Sequence, residues 1–190
     1  MKTLLFAFLL STSALASQHP VVSFKTQMGE IQVELDAEHA PGTTGNFLKY
    51  VESGAYAGGS FFRTVTTRPD NQQDNPVKID VIQGGPAPSK PELLPIPLER
   101  TNATGLHHKN GTISMARSTP DSATNEFFFC IGDQPELDFG GRRNPDGQGF
   151  AAFGHVVKGM DVVKKIHESP AKGQSLNPAI PIVSASVIKP

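Results

Sequence analysis

Side chains that could do chemistry are few in this sequence and far apart. The six histidines His19, His39, His107, His108, His155 and His167 show no spacing that would put two ligands on one helical face, and only His107 and His108 are adjacent. No metal site is expected from that pattern. Neither Gly-x-Ser-x-Gly nor His-Glu-x-x-His occurs, so hydrolysis by an activated serine or a zinc-bound water lacks its usual residues. The single cysteine, Cys130, lies in the apolar run 127–131, where a free thiol ordinarily serves as a small buried hydrophobe. Asn102-Ala103-Thr104 fits the glycosylation acceptor pattern, which matters only in a host that glycosylates exported proteins. There remains Arg63, in the β-prone run Phe61-Phe62-Arg63-Thr64-Val65. Taken alone it is a solvated strand charge. Its guanidinium nevertheless stays charged at any working pH and presents donors in a rigid fork, so it needs no acid–base cycle to stabilise a polarised state.

The elements that would position these residues are mostly short strands. Residues 21–26 are rich in β-branched and aromatic types, Gln27-Met28-Gly29-Glu30 supplies a turn, and Ile31, Val33 and Leu35 alternate with polar residues, which predicts an opening hairpin. Pro41 suits a first helical turn, and Phe47, Tyr50 and Val51 follow at helical spacing before Gly54 ends the run. Strands are expected at 61–66 and 79–83, separated by a polar stretch, 67–76, that reads as a surface loop. Further strands are expected at 111–116, 126–131, 150–157 and 182–188. A second helix is expected at 161–167, where Val162, Val163 and Ile166 oppose Lys164 and Lys165. Many short strands with two helices and no strand–helix alternation favour a closed antiparallel barrel with a helix at each open end.

The N-terminus carries Lys2, an apolar run at 4–10 and Ala14-Leu15-Ala16, the pattern of a secretory signal peptide spanning residues 1–16. That run is too short for a permanent membrane span, so the expected mature chain, 17–190, is a single soluble domain with no membrane association. Lys and Arg total 17 against 18 Asp and Glu, with no long basic block, so nucleic acid is not an expected partner. With one cysteine, an exported chain must rely on its apolar core rather than on disulfides.

Three ordered segments resemble the cyclophilin family. The first is Phe61-Phe62-Arg63-Thr64-Val65 followed by Val81-Ile82-Gln83-Gly84-Gly85, similar to the family's Phe-His-Arg strand and Gln-Gly-Gly turn. The second, the most specific, runs from Gly111-Thr112-Ile113-Ser114-Met115-Ala116-Arg117 through Asn125-Glu126 to Phe127-Phe128-Phe129. The third is Leu137-Asp138 and then Gly149-Phe150-Ala151-Ala152-Phe153-Gly154. The resemblance implies an eight-stranded antiparallel β-barrel closed by two helices, with an active groove on its outer face. It implies peptidyl-prolyl cis-trans isomerisation of proline-containing polypeptides, by a monomer without cofactor or metal. Arg63 would be the catalytic residue, with the proline ring in an apolar pocket formed by Val81, Phe128, Leu137 and Phe150. Phe61 and Gln83 would flank the groove, Gln83 orienting the guanidinium, and Ala116 and Arg117 would border the substrate backbone. The style of the sequence resembles periplasmic bacterial members, which implies a foldase for exported proteins, periplasmic in a Gram-negative host and otherwise secreted.

The sequence departs from the family pattern at several of these positions. Phe62 stands in place of His, Glu126 in place of Gln, Glu136 where Trp is common and Phe150 where His is common. Losing the indole N–H predicts weak cyclosporin binding. Glu126 is expected to hold the Arg63 guanidinium, and the long insertion between Arg63 and Gln83 to affect substrate access. These changes also motivate an alternative, a proline-peptide-binding chaperone or scaffold with little turnover.

Overall fold

A computed structural model of the protein describes residues 19–189; the signal peptide expected at 1–16 lies outside the described residues. Strands β1 (Val21–Thr26) and β2 (Gly29–Leu35) form the opening hairpin, with Thr26 opposite Gly29. Helix α1 (Pro41–Glu52) follows, carrying Pro41 in its first turn and burying Phe47, Tyr50 and Val51. Next come β3 (Ser60–Val65), β4 (Val81–Gly85), the one-turn helix α2 (Thr101–Thr104), β5 (Thr112–Met115) and β6 (Phe127–Cys130). A 3₁₀ turn at Pro135–Leu137 leads to β7 (Ala151–Lys158), α3 (Met160–His167), β8 (Ala171–Lys172) and β9 (Ser175–Lys189).

Antiparallel pairing runs β1-β2-β7-β5-β6-β4-β3-β9, and β9 pairs back onto β1, closing an eight-stranded barrel. Closure leaves no free barrel edge. The short β8 is a ninth strand, paired only with β9 outside the ring. The interior is aromatic: Phe24, Phe47, Tyr56, Phe61, Phe127 and Phe129 are fully buried, with neighbouring ring centroids such as Phe24–Phe127 at 5.2 Å and Tyr56–Phe127 at 5.3 Å. Such pairs add about 0.5–1.5 kcal/mol each beyond area burial. The apolar stripe of α3, Val162, Val163 and Ile166, also packs onto this interior.

Three sequence expectations need correction. Gln83-Gly84-Gly85 is not a turn: Gln83, Gly84 and Gly85 pair with Arg63, Phe61 and Ser60 as the end of β4. Glycine is needed at 84 for close packing, since a Cβ there would lie 2.9 Å from the Phe61 ring and 3.1 Å from the Ser60 carbonyl oxygen. Strand β9 begins at Ser175 rather than at 182, and β8 was not anticipated. Pro178 and Pro181 disguise the first half of β9, and its mostly exposed face gives little apolar alternation. The stretch 67–76 is a surface loop only in part, because Asn71 and Gln72 are buried. Asn71 donates Nδ2–H to the carbonyls of Thr64 and Gly173 and accepts from the Thr66 N–H, while Gln72 donates to the Thr66 and Ile79 carbonyls. These buried amides replace the ladder bonds that the loop cannot make.

Candidate active site

A second, smaller apolar cluster lies outside the barrel interior, made of Val65, Ile79, Val81, Phe128, Cys130 and Leu137, with Ala116 and Phe150 packed against it. Strand alternation creates it. In β6, Phe127 and Phe129 point inward, so Phe128 must point outward. The outward wall borders a hollow of about 240 Å³, lined by Arg63, Ile79, Val81, Gln83, Ala116, Arg117, Phe128, Leu137 and Phe150 together with Asn75, Arg143 and Asn144.

Arg63 reaches this hollow from an irregular point in β3. Between Phe61 and Arg63 the register shifts against both β4 and β9, leaving Phe62 without a partner. A bulge of this kind re-aims side chains beside functional sites. The half-buried guanidinium is held from two sides. Its Nη1 donates to Gln83 Oε1 at 2.8 Å, while Nε and Nη2 both donate to Gln174 Oε1, at 2.8 and 2.5 Å. Gln174 is itself fixed by donating Nε2–H to the Asn71 carbonyl at 2.8 Å, so buried Asn71 of the 67–76 loop braces the arginine. Burial lowers the Arg63 pKa from its ordinary value and nearby Glu126 acts in the opposite direction, leaving a cation at any physiological pH.

Glu126 does not grip Arg63 directly. It lies exposed beside the groove, and its Oε2 accepts from Gln83 Nε2 at 2.7 Å, so it acts on the guanidinium through the Gln83 amide. This relay fixes which end of Gln83 faces Arg63, so the hold expected of Glu126 on the guanidinium would run through Gln83. Phe61, expected at the groove, is also corrected. It is fully buried in the interior against Phe127 and Phe129, because it precedes the bulge and keeps the inward phase of β3. Arg117 borders the hollow with its donors committed, to Asp146 at 2.8 and 2.9 Å and to the Gly149 carbonyl at 2.8 Å, with its guanidinium 5.1 Å from the Phe150 ring centroid. Glu136, at the position where an indole was missed, accepts from Arg142 at 2.8 Å. Val81, Gln83, Ala116, Phe128, Leu137 and Phe150 line the hollow together with Arg63.

Sequence reasoning missed Gln174, Ile79 and a buried support behind Phe128. His108 stacks on Phe128 with centroids 5.9 Å apart and is itself buried. Its Nδ1 meets Asp138 Oδ1 at 2.6 Å and its Nε2 meets Ser114 Oγ at 2.9 Å. The order serine–histidine–aspartate resembles a hydrolytic triad, but Ser114 is fully buried and no substrate can reach it. The series props up Phe128 instead. Burial lowers the His108 pKa, with Asp138 opposing. For Asp138, burial acts to raise the pKa, and hydrogen bonds from the His108 side chain and backbone and from His107 outweigh it, leaving a value of about 2. Cys130 is fully buried under the same cluster, and burial pushes its thiol well above the ordinary range, so it serves there as a packing group.

Comparison with known proteins agrees with this geometry. Residues 21–187 match the family described as cyclophilin type peptidyl-prolyl cis-trans isomerase. The chain is 37% identical over 193 residues to peptidyl-prolyl cis-trans isomerase A of Dickeya dadantii, covering 97% of this chain and 92% of that protein. It is 34% identical over 183 residues to a peptidyl-prolyl cis-trans isomerase of Acinetobacter baylyi, covering 95% and 88% respectively. A crystal structure of a Cryptosporidium parvum cyclophilin type isomerase in the presence of the dipeptide Ala-Pro shares the fold, with a TM-score of 0.71 at 20% identity over 90% of this chain and 99% of that one. The closed eight-stranded barrel and the match along nearly all of the described residues make this chain a member of the cyclophilin-type peptidyl-prolyl cis-trans isomerases.

Proposed function

We propose that Arg63 carries the isomerisation, acting on X-Pro bonds whose proline ring sits in the hollow against Phe128. The amide resonance that must be broken sets a barrier of about 18–20 kcal/mol. As the bond twists, electron density returns to the prolyl nitrogen, and a fixed donor there favours the twisted state over either planar one. Of the five guanidinium N–H donors, three are engaged by Gln83 and Gln174, which leaves donors for the substrate. An acceleration of about 10⁵ needs roughly 7 kcal/mol, more than one exposed hydrogen bond supplies, so the dry wall beside the cation must contribute. The observation that carries this reading is a half-buried arginine, locked by two glutamines, at the rim of an outward apolar cluster. The dipeptide Ala-Pro named with the C. parvum relative supports proline-containing peptides as substrates.

Exchange spectroscopy on an X-Pro peptide tests the assignment. Arg63→Ala is expected to reduce the catalysed exchange by about 10²–10³-fold while leaving the fold intact, and undiminished exchange would overturn it. Peptide binding without enhanced exchange in the wild type would select a scaffold role instead. The basic start, short apolar run and Ala14-Leu15-Ala16 further support an exported foldase acting on clients outside the cytoplasm, periplasmic in a Gram-negative host. Among the described residues no helix is long and apolar enough to cross a membrane. Fractionation with N-terminal sequencing should find a chain beginning at Ser17, and a cytoplasmic chain beginning at Met1 would contradict export.

A further inference from the structure

Three arginines line the hollow; Arg117 is paired with Asp146, and of the remaining two, Arg63 and Arg143, the proposed chemistry uses only Arg63. Arg143, delivered by the segment between the 3₁₀ turn and β7, shares the lining with Arg63, Val81 and Leu137. Its Nη1 is committed, donating to Gln72 Oε1 at 2.8 Å and to the Val77 carbonyl at 2.6 Å. The fork is therefore anchored to the 67–80 connection, and Nε and Nη2 have no acceptor among the described residues. Burial, and after it the charge of Arg63, lowers the Arg143 pKa. The two cations thus oppose each other across one site.

Neighbouring arginines are matched and these two are not. Arg117 is paired with Asp146 and Arg142 with Glu136, whereas among the described residues neither Arg63 nor Arg143 has a carboxylate within ion-pair distance. Two half-buried like charges with no carboxylate in direct contact cost free energy through desolvation and mutual repulsion, which Glu126 offsets only in part and only at Arg63. An incoming anion would relieve both, and a fork with free donors suits a carboxylate best. The other end of the groove has the opposite character. The adjoining cavity shares Arg63, Gln83, Ala116 and Arg117 with the hollow and adds Glu92 and Glu126. A peptide lying across both cavities meets acid at one end and an unmatched cation at the other.

We propose that Arg143 is a specificity residue that selects prolines adjacent to a carboxylate, supplied by a neighbouring acidic side chain or by the free C-terminus of a chain ending in proline. This rests on the reading that the hollow receives the proline ring. Four peptides test it: Ac-Ala-Ala-Pro-Ala-NH₂ as the neutral reference, Ac-Ala-Asp-Pro-Ala-NH₂, Ac-Ala-Ala-Pro-Asp-NH₂, and Ac-Ala-Ala-Pro with a free carboxylate. Turnover of the neutral peptide reports on the hollow and Arg63. The ratio of acidic to neutral kcat/KM reports on Arg143, so the two readings fail separately.

In the wild type at least one acidic peptide should exceed the neutral one by about tenfold, and the peptide that does so identifies the source of the carboxylate. Added salt should shrink that ratio. Arg143→Met should bring it to near one, and Arg143→Lys, which keeps charge without the fork, should give an intermediate value. Equal kcat/KM on all four peptides in the wild type would overturn the proposal, as would an acidic preference that survives Arg143→Met. If the methionine variant loses its fold, the wild-type ratio and the lysine variant decide the matter.

Discussion

Phe127, Phe128 and Phe129 are consecutive and chemically identical, yet they belong to two different regions of the molecule. Phe127 and Phe129 sit in the barrel interior among the rings of Phe24, Phe47, Tyr56 and Phe61. Phe128 belongs to the small outer cluster, where its neighbours include His108 on one side and Phe150 edge-on at 5.4 Å on the other. The inner region is sealed and redundant, with each ring touching several others. The outer one is thin, opens on the hollow, and depends on polar braces to hold its shape. A strand period of two is enough to separate the group that keeps the barrel folded from the group that meets the substrate.

The sharpest way to separate the two regions is to truncate both rings. Phe127→Ala leaves a sealed void and is expected to lower stability by about 3–5 kcal/mol, read as a fall in denaturation midpoint at unchanged slope. Phe128→Ala should cost less stability, about 1–3 kcal/mol, and should instead reduce kcat/KM by about tenfold through a raised KM. Equal stability losses in the two variants would break the comparison. A polar brace should behave differently again. Gln174→Leu removes the shared acceptor of Arg63 Nε and Nη2 and is expected to lower kcat by roughly three- to tenfold with little change in KM or melting temperature. Gln174→Glu, which keeps the acceptor, should restore most of the rate.

Acid should undermine the outer region through Asp138. Its folded pKa of about 2 lies below the ordinary aspartate value of 3.8. Its contribution is therefore complete above the unfolded pKa and is lost as pH falls from about 4 towards 2. Asp138→Asn should flatten the stability profile over that window, and an unchanged acid limb would contradict the assignment. The smallest effect is expected at Glu126. Glu126→Gln removes an exposed charge that touches Gln83 rather than Arg63 and should slow exchange about two- to threefold; an unchanged or raised rate would reject the relay.

The barrel was legible in the sequence wherever one face is buried, as at Ile31, Val33 and Leu35, whose alternation the structure reproduces. It was least legible where strands are exposed or carry proline, as in the first half of β9. The hollow could be read because Phe128, Val81, Leu137 and Phe150 lie in recognisable motifs. Its supports could not. Gln174 and Asn71 are polar residues in loops distant in sequence, joined to Arg63 only by tertiary hydrogen bonds, and no period or spacing marks such a contact. Phe61 was misplaced for a related reason, since a bulge shifts side-chain phase without leaving a sequence signal.

One further consequence comes from the seam where β9 returns to β1. On the edge that faces away from β2, Val21 to Thr26 pair with Ile182 to Lys189, about 160 residues later. Because that seam completes the ring, the chain cannot lock its shape until almost all of it has emerged, and topologies of this kind assemble slowly. A catalyst of slow steps in other polypeptides is thereby kept pliable through most of its own emergence and becomes rigid at the last stitch.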